Sequence, residues 1–256
     1  MDRVVVADPW VAHSGVLPNR RLRLFCFAYA GGGASVFRLW PKLLPHDVEV
    51  FALRLPGREN RIKESPFTHM TSLVDALVPS ILPYLDGPFA FFGHSLGALV
   101  SFELTRALYT CHGVLPRRLM VSACPAPQKM RVENPLHAMP DVEFIAALQR
   151  LNGLPDAVLQ NEDLLSVMLP TLRADFTVFE TYAHQPGPSL PCAISAFGGL
   201  RDVDLPREKI AAWNDQTSGA FVLRMLPGDH FFIHDTRNLL LRFVAQDIQY
   251  YEGVPH

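Results

Sequence analysis

Gly93-His94-Ser95-Leu96-Gly97 sets a serine between two glycines at the spacing G-x-S-x-G, after an apolar run that ends at Phe92 and before a helical pattern that starts at Leu96. A serine on a sharp strand-to-helix turn needs small neighbours, because the turn brings backbone close on either side. That turn lifts the hydroxyl above the sheet and puts the Leu96 amide at a helix N-terminus, where it can stabilise an oxyanion. The chemistry predicted is acyl transfer through a serine ester. The plainer alternative is a glycine-rich turn with an exposed serine.

A serine hydroxyl is inert without a base. Of the histidines beyond Ser95, His230 stands directly after the last expected strand, in Pro227-Gly228-Asp229-His230-Phe231-Phe232, and α/β sheets place their sites at strand carboxyl ends. His234 is its rival, and His94 is expected to pack beside the turn. The acid should also follow a strand and orient the imidazole. Asp202, in Phe197-Gly198-Gly199-Leu200-Arg201-Asp202, does so in the order Ser, Asp, His. Asp204 could substitute for it, whereas Asp229 is badly placed to turn the adjacent ring. A second oxyanion donor is expected from Tyr29-Ala30-Gly31-Gly32-Gly33-Ala34, through the amide of Ala30 or Gly31.

Other chemistries lack their residues. The glycine run has no Lys-Ser/Thr for a phosphate loop and no G-x-G-x-x-G spacing, and no Cys/His pattern suggests a metal. With 23 basic and 25 acidic side chains and a net charge of −2, the chain carries no footprint for nucleic acid. No apolar stretch is long enough to span a bilayer, and residues 1–9 hold too short an apolar run for a signal peptide. Four cysteines form no disulfide framework; three lie in apolar runs, and a reducing, cytoplasmic setting is expected.

The elements that must position these residues alternate. Apolar runs predict strands at 22–28, 48–53, 89–92, 118–123, 192–197 and 220–226, with helices at 73–85, 96–108, 207–213 and 236–250. Ser35 is expected to cap a short helix carrying Phe37, Leu39 and Trp40. Between Pro125 and Pro191 helices dominate, at 142–151 and 163–182, with Pro170 expected to kink or split the second. This is an α/β pattern: a mostly parallel central sheet flanked by helices, with a helical insertion. The expected division is a leader at 1–20 laid over the surface, a core of 21–128 and 187–256, and a helical lid at 129–186.

Several segments together carry a family likeness: Phe27-Ala28-Tyr29-Ala30-Gly31-Gly32, Leu55-Pro56-Gly57-Arg58-Glu59-Asn60-Arg61, Gly93-His94-Ser95-Leu96-Gly97, Gly198-Gly199-Leu200-Arg201-Asp202 and Gly228-Asp229-His230-Phe231-Phe232. From about residue 22 to about residue 243 the chain resembles the freestanding (type II) thioesterases of polyketide and nonribosomal peptide pathways. Pro-Gly-Arg-Glu-x-x-Arg is the most telling segment, because generic esterases of the same fold lack it. Two departures are minor: the family usually has Pro where Ala28 stands, and Leu96 is often Met.

The resemblance implies an α/β-hydrolase fold, with Ser95 as nucleophile, Asp202 as acid, His230 as base, and the Ala30 and Leu96 amides as oxyanion hole. It implies acyl thioesters on the phosphopantetheine arm of acyl or peptidyl carrier proteins as substrates. No cofactor is implied, since that arm belongs to the substrate, and a monomer is expected. The lid, rich in Met, Leu and Phe, would roof an acyl pocket, for which Tyr29, Met168, Phe176 and Phe231 are the candidates. Arg58 and Arg61 are left between an acidic carrier surface and a structural ion pair. Two rival readings stand beside this one: a general carboxylesterase, and a catalytically silent hydrolase fold that only binds.

Overall fold

The six apolar runs become strands of one sheet in the computed structural model, which describes residues 9–13, 17, 20–151, 153, 158 and 160–249. The strands are β1 (Val11–His13), β2 (Leu22–Phe27), β3 (Val48–Leu53), β4 (Phe89–His94), β5 (Arg118–Ser122), β6 (Ala193–Gly199) and β7 (Phe221–Leu226). Their spatial order is β1-β3-β2-β4-β5-β6-β7. From β3 to β7 all neighbours run parallel; β1 alone is antiparallel, pairing Val11 with Leu53 and His13 with Phe51. The leader therefore does more than cover the surface: it supplies an edge strand with Val11 buried. Three residues are too few for a two-residue period to register in the sequence.

A parallel sheet is buried on both faces, so its strands read as nearly continuous apolar runs. One face, with Phe25, Phe27, Phe89 and Phe91, packs under α2 (Met70–Ile81) and α3 (Leu96–His112) through Leu77, Leu99 and Phe102. The other, with Leu24, Cys26, Val50 and Phe92, packs on Trp40 of α1 (Trp40–Leu43) and on the C-terminal helix through Leu240, Leu241 and Val244.

Between β5 and β6 lie α4 (Asp141–Arg150) and α5 (Glu162–Glu180); beyond β6 come α6 (Arg207–Ala211), α7 (Phe232–Asp235) and α8 (Arg237–Gln249). Helix α5 runs unbroken through Pro170. Pro170 and Ser166 are both exposed, so the Ser166 carbonyl that loses its helical partner can be hydrated. Ser35 caps nothing: its segment is a 3-10 turn at Ala34–Phe37, and the Ser35 amide donates to Glu59 Oε1 at 2.8 Å. The expected end of the last helix at Tyr250 lies outside the described residues.

Candidate active site

Ser95 follows β4 directly and caps the start of α3 with φ 54° and ψ −118°, a positive φ that a β-substituted residue holds only under constraint. The constraint is visible on both sides. The Ser95 amide donates to the Ser122 carbonyl at the end of β5, 2.7 Å away. A Cβ at Gly93 would overlap the Gly97 carbonyl, and one at Gly97 would overlap the Phe27 carbonyl. Both glycines are thus required by closeness of backbone. The Leu96 amide is the first of a 17-residue helix, where N–H groups lack helical acceptors and carry partial positive charge.

His230 lies in the loop after β7, and its Nδ1 is 2.8 Å from Asp202 Oδ2, in the loop after β6. Backbone bonds hold the two loops side by side, Arg201 N–H to Gly228 O and Leu200 N–H to Leu226 O, both 2.8 Å. The rival residues are placed elsewhere. Asp229 Oδ1 accepts the Phe231 amide at 2.8 Å, which fixes the turn around His230. Asp204 meets Asp202 through its own amide, at 3.3 Å from Oδ1. His234 Nε2 pairs with the Tyr29 hydroxyl at 2.9 Å. Ser95 and His230 line the same cavity, and the Ser95 hydroxyl has no hydrogen bond to another described residue. Such catalytic bonds are often long before substrate arrives.

His94 packs beside the turn and also ties it to the His230 loop. Its Nε2–H donates to the His230 carbonyl at 2.9 Å, and its Nδ1 accepts from the Ser122 hydroxyl at 3.0 Å. Burial first, and the neighbouring His230 second, hold its pKa well below the ordinary value of 6.5. The unfolded chain therefore binds a proton near pH 6.5 that the native chain refuses. Stability is full above about pH 6.5 and falls as the pH drops below it, by up to about 1.4 kcal/mol per pH unit for this one group. Denaturant titrations from pH 7.5 to 5 should show this slope, and His94→Asn should flatten it while lowering stability at pH 7.5. An unchanged slope in the variant would place the acid sensitivity elsewhere.

The loop after β2 brings Ala30 to the cavity beside Ser95 and Leu96. Gly31 faces another duty: its amide donates to Asp175 Oδ2 on α5, at 2.7 Å. The cavity measures about 530 Å³ and is walled by Leu148, Leu172, Phe176, Phe179, Tyr29 and Phe231, the last two rings edge to face at 5.1 Å. Three of the four candidate pocket residues are therefore on its wall. Met168 is not: one turn before Leu172, it packs into the same small cluster as Leu148, Leu172 and Phe176, but off the cavity wall.

Sequence reasoning weighed an ion pair for Arg58 without its partner, and missed a second group altogether. Arg58 and Asp175, 117 residues apart, form a buried two-pronged ion pair, with both Nη–O distances 2.8 Å. Only the isolated carboxylate between Ala174 and Phe176 hinted at it. Arg61 is also buried, on Glu64 and over the Trp10 ring at 4.1 Å, so both arginines of that motif are structural. The second group is the rim of the cavity. Lys129, Arg131, Arg150, Arg201 and Lys209 line it, and none of these side chains has an ion-pair or hydrogen-bond partner among the described residues. Among the described residues no cluster of His, Cys, Asp or Glu is arranged to hold a metal, and no helix is long and apolar enough to cross a membrane.

Comparison with known proteins places this geometry. The thioesterase domain model matches residues 22–248. The gramicidin S biosynthesis protein GrsT of Aneurinibacillus migulanus is 41% identical over 242 residues, covering 94% of each chain. Thioesterase PikA5 of Streptomyces venezuelae is 36% identical over 247 residues, 96% of this chain and 88% of that one. Among solved structures, the type II thioesterase BorB of the borrelidin biosynthetic cluster superposes with a TM-score of 0.87 at 33% identity, covering 94% of this chain and 98% of its own. The chain belongs to the thioesterase family: it is a hydrolase of the α/β-hydrolase fold, related to the type II thioesterases of polyketide and nonribosomal peptide biosynthesis.

Proposed function

We propose that this thioesterase hydrolyses acyl groups held as thioesters on the phosphopantetheine arm of acyl or peptidyl carrier proteins, clearing aberrant or stalled chains. Ser95 Oγ attacks the thioester carbonyl while His230 Nε2 takes its proton. Asp202, on Nδ1, keeps the ring in the tautomer that can do so and steadies the imidazolium. The Leu96 and Ala30 amides receive the oxyanion. Collapse expels the thiol, which leaves with the proton from His230, and an acyl ester remains on Ser95. Water, activated by the same imidazole, then releases the free acid and restores the serine. On this reading no resident cofactor or metal takes part.

The observation that carries the carrier-protein reading is an apolar cavity shared by Ser95 and His230, with five cations around it that lack partners among the described residues. Three carboxylates also line it, but Asp202 and Asp229 are engaged, on His230 and on the Phe231 amide. A substrate with a greasy end and an anionic approach fits that arrangement; a neutral ester has no use for the cations. The phosphodiester of the arm supplies such an anion.

Two comparisons test this. Acyl-carrier thioesters should be hydrolysed faster than matched oxyesters, and a strong oxyester preference would sink the proposal in favour of a carboxylesterase. Rim charges act through screened attraction. Going from 50 to 500 mM NaCl, or reversing Lys129, Arg131 and Arg150 to Glu, should raise KM for an acyl-carrier protein by about tenfold. The KM for the matching N-acetylcysteamine thioester, which has no phosphate, should rise far less with salt. Equal salt effects on both substrates would remove the rim from recognition.

A further inference from the structure

We propose that Asp175, neutralised by Arg58, is a positioning residue for the oxyanion loop, through which the helix that walls the acyl cavity also sets the geometry of the reaction. The inference rests on the proposed serine mechanism and on Ala30 as an oxyanion donor.

Helix α5 presents two stripes at helical spacing. Leu172, Phe176 and Phe179 line the cavity. Thr171, Asp175 and Val178, one residue before each, are buried against the body of the protein. That second stripe grips two loops at once. Thr171 Oγ1 donates to the Gly57 carbonyl at 2.5 Å. Asp175 Oδ2 accepts the Gly31 amide at 2.7 Å and Arg58 Nη1 at 2.8 Å, while Oδ1 takes Arg58 Nη2 at 2.8 Å. Arg58 Nη1 reaches on to the Gly32 carbonyl at 3.1 Å, and Arg58 Nε donates to the Pro56 carbonyl at 3.3 Å.

The Ala30–Gly31 peptide is therefore oriented from its far side. Gly31 sits at φ +76°, and a Cβ there would overlap the Leu172 side chain, so helix and loop are in direct contact. The Ala30 amide is the next N–H back along the chain. With the Gly31 amide fixed on Asp175, the loop turns about that point and Ala30 is presented to the cavity beside Ser95 and Leu96. Without an acceptor at position 175, the Gly31 amide is left half-buried and unsatisfied, and the loop moves to hydrate it. An oxyanion donor has to lie about 2.7–3.1 Å from the developing charge, so such movement weakens transition-state binding more than substrate binding.

The same helix meets the acyl chain through Leu172 and Phe176. An acyl group that seats α5 well favours a well-formed oxyanion loop, and one that pushes α5 outward disturbs it. Discrimination among acyl chains on this model falls on kcat as well as on KM.

Two double variants isolate the acceptor while removing the buried charge from both, which avoids the cost of an unpaired ion. Arg58→Met with Asp175→Asn keeps an acceptor for Gly31; Arg58→Met with Asp175→Leu has similar volume and no acceptor. The first is expected to keep kcat within about threefold of wild type, and the second to lose about 30-fold with KM within about twofold. Inactivation by a fluorophosphonate, whose phosphonyl oxygen occupies the same hole, should slow in parallel. Equal kcat in the two doubles, or a loss confined to Tm or KM, would overturn the proposal. Should the leucine double fail to fold, Arg58→Met with Asp175→Val takes its place as the variant without an acceptor and is read against the asparagine double in the same way. Ser95→Ala in the same assay separates the two layers. If that variant stays active, the serine mechanism fails; if it is dead while the doubles match, only the positioning role fails.

Discussion

Replacing Ser95 by alanine is expected to lower kcat for thioester hydrolysis by at least about 10⁴-fold and to leave the fold intact. The hydroxyl lies at the wall of the cavity and has no hydrogen bond to another described residue, so its removal breaks no structural bond. The strained backbone at φ 54° is held by Gly93, Gly97 and the Ser122 carbonyl, none of which the substitution touches. Tm should stay within a degree or two, which makes the comparison of rates clean. Some rate above that in water should survive, because oriented amides still favour the tetrahedral oxyanion when water attacks. Continuous thiol detection on an acyl-carrier protein measures both levels. Hydrolysis at the wild-type rate would end the serine mechanism.

Asp202→Asn should cost about 10³- to 10⁴-fold in kcat, nearly as much as loss of the serine. Asp202 Oδ2 accepts from His230 Nδ1–H at 2.8 Å, which leaves Nε2 bare to receive the serine proton. An asparagine of the same shape can turn its amide N–H₂ toward Nδ1. The ring then carries its proton on Nε2 and has nothing with which to take another. Asp204→Asn provides the matched control, since Asp204 meets Asp202 only through its backbone amide; its kcat should fall by less than about threefold. If the two substitutions cost the same, the acid has been misassigned.

What the sequence revealed and what it hid divide by distance along the chain. The Ser95 turn was legible because five consecutive residues carry its spacing, and the six longer strands because their runs are mostly apolar. His230 and Asp202 could be chosen because each follows a strand, and chain order narrowed the rest. Choices between neighbours stayed open: Ala30 and Gly31 look alike until α5 lays Asp175 against one of them. Met168 and Phe176 are equally apolar on one helix and join the same cluster around Phe144, yet only the second lies on the cavity wall. The Arg58–Asp175 pair leaves no pattern, since nothing local marks a bond across 117 residues. The short β1 escaped for the opposite reason, having too few residues to show any period.

The bond from His94 to the His230 carbonyl spans 136 residues and stitches the middle of the sheet to one of its last loops. A ribosome adding about 5–20 residues per second needs roughly 7 to 27 seconds to cover that span. Throughout this interval the nascent chain holds Ser95 without His230, the base of the proposed mechanism. Only when β7 emerges and pairs with β6 can the reactive group be completed. On the proposed mechanism hydrolytic competence thus arrives only after His230 is made, and chains released before that point would be inert toward the thioesters around them.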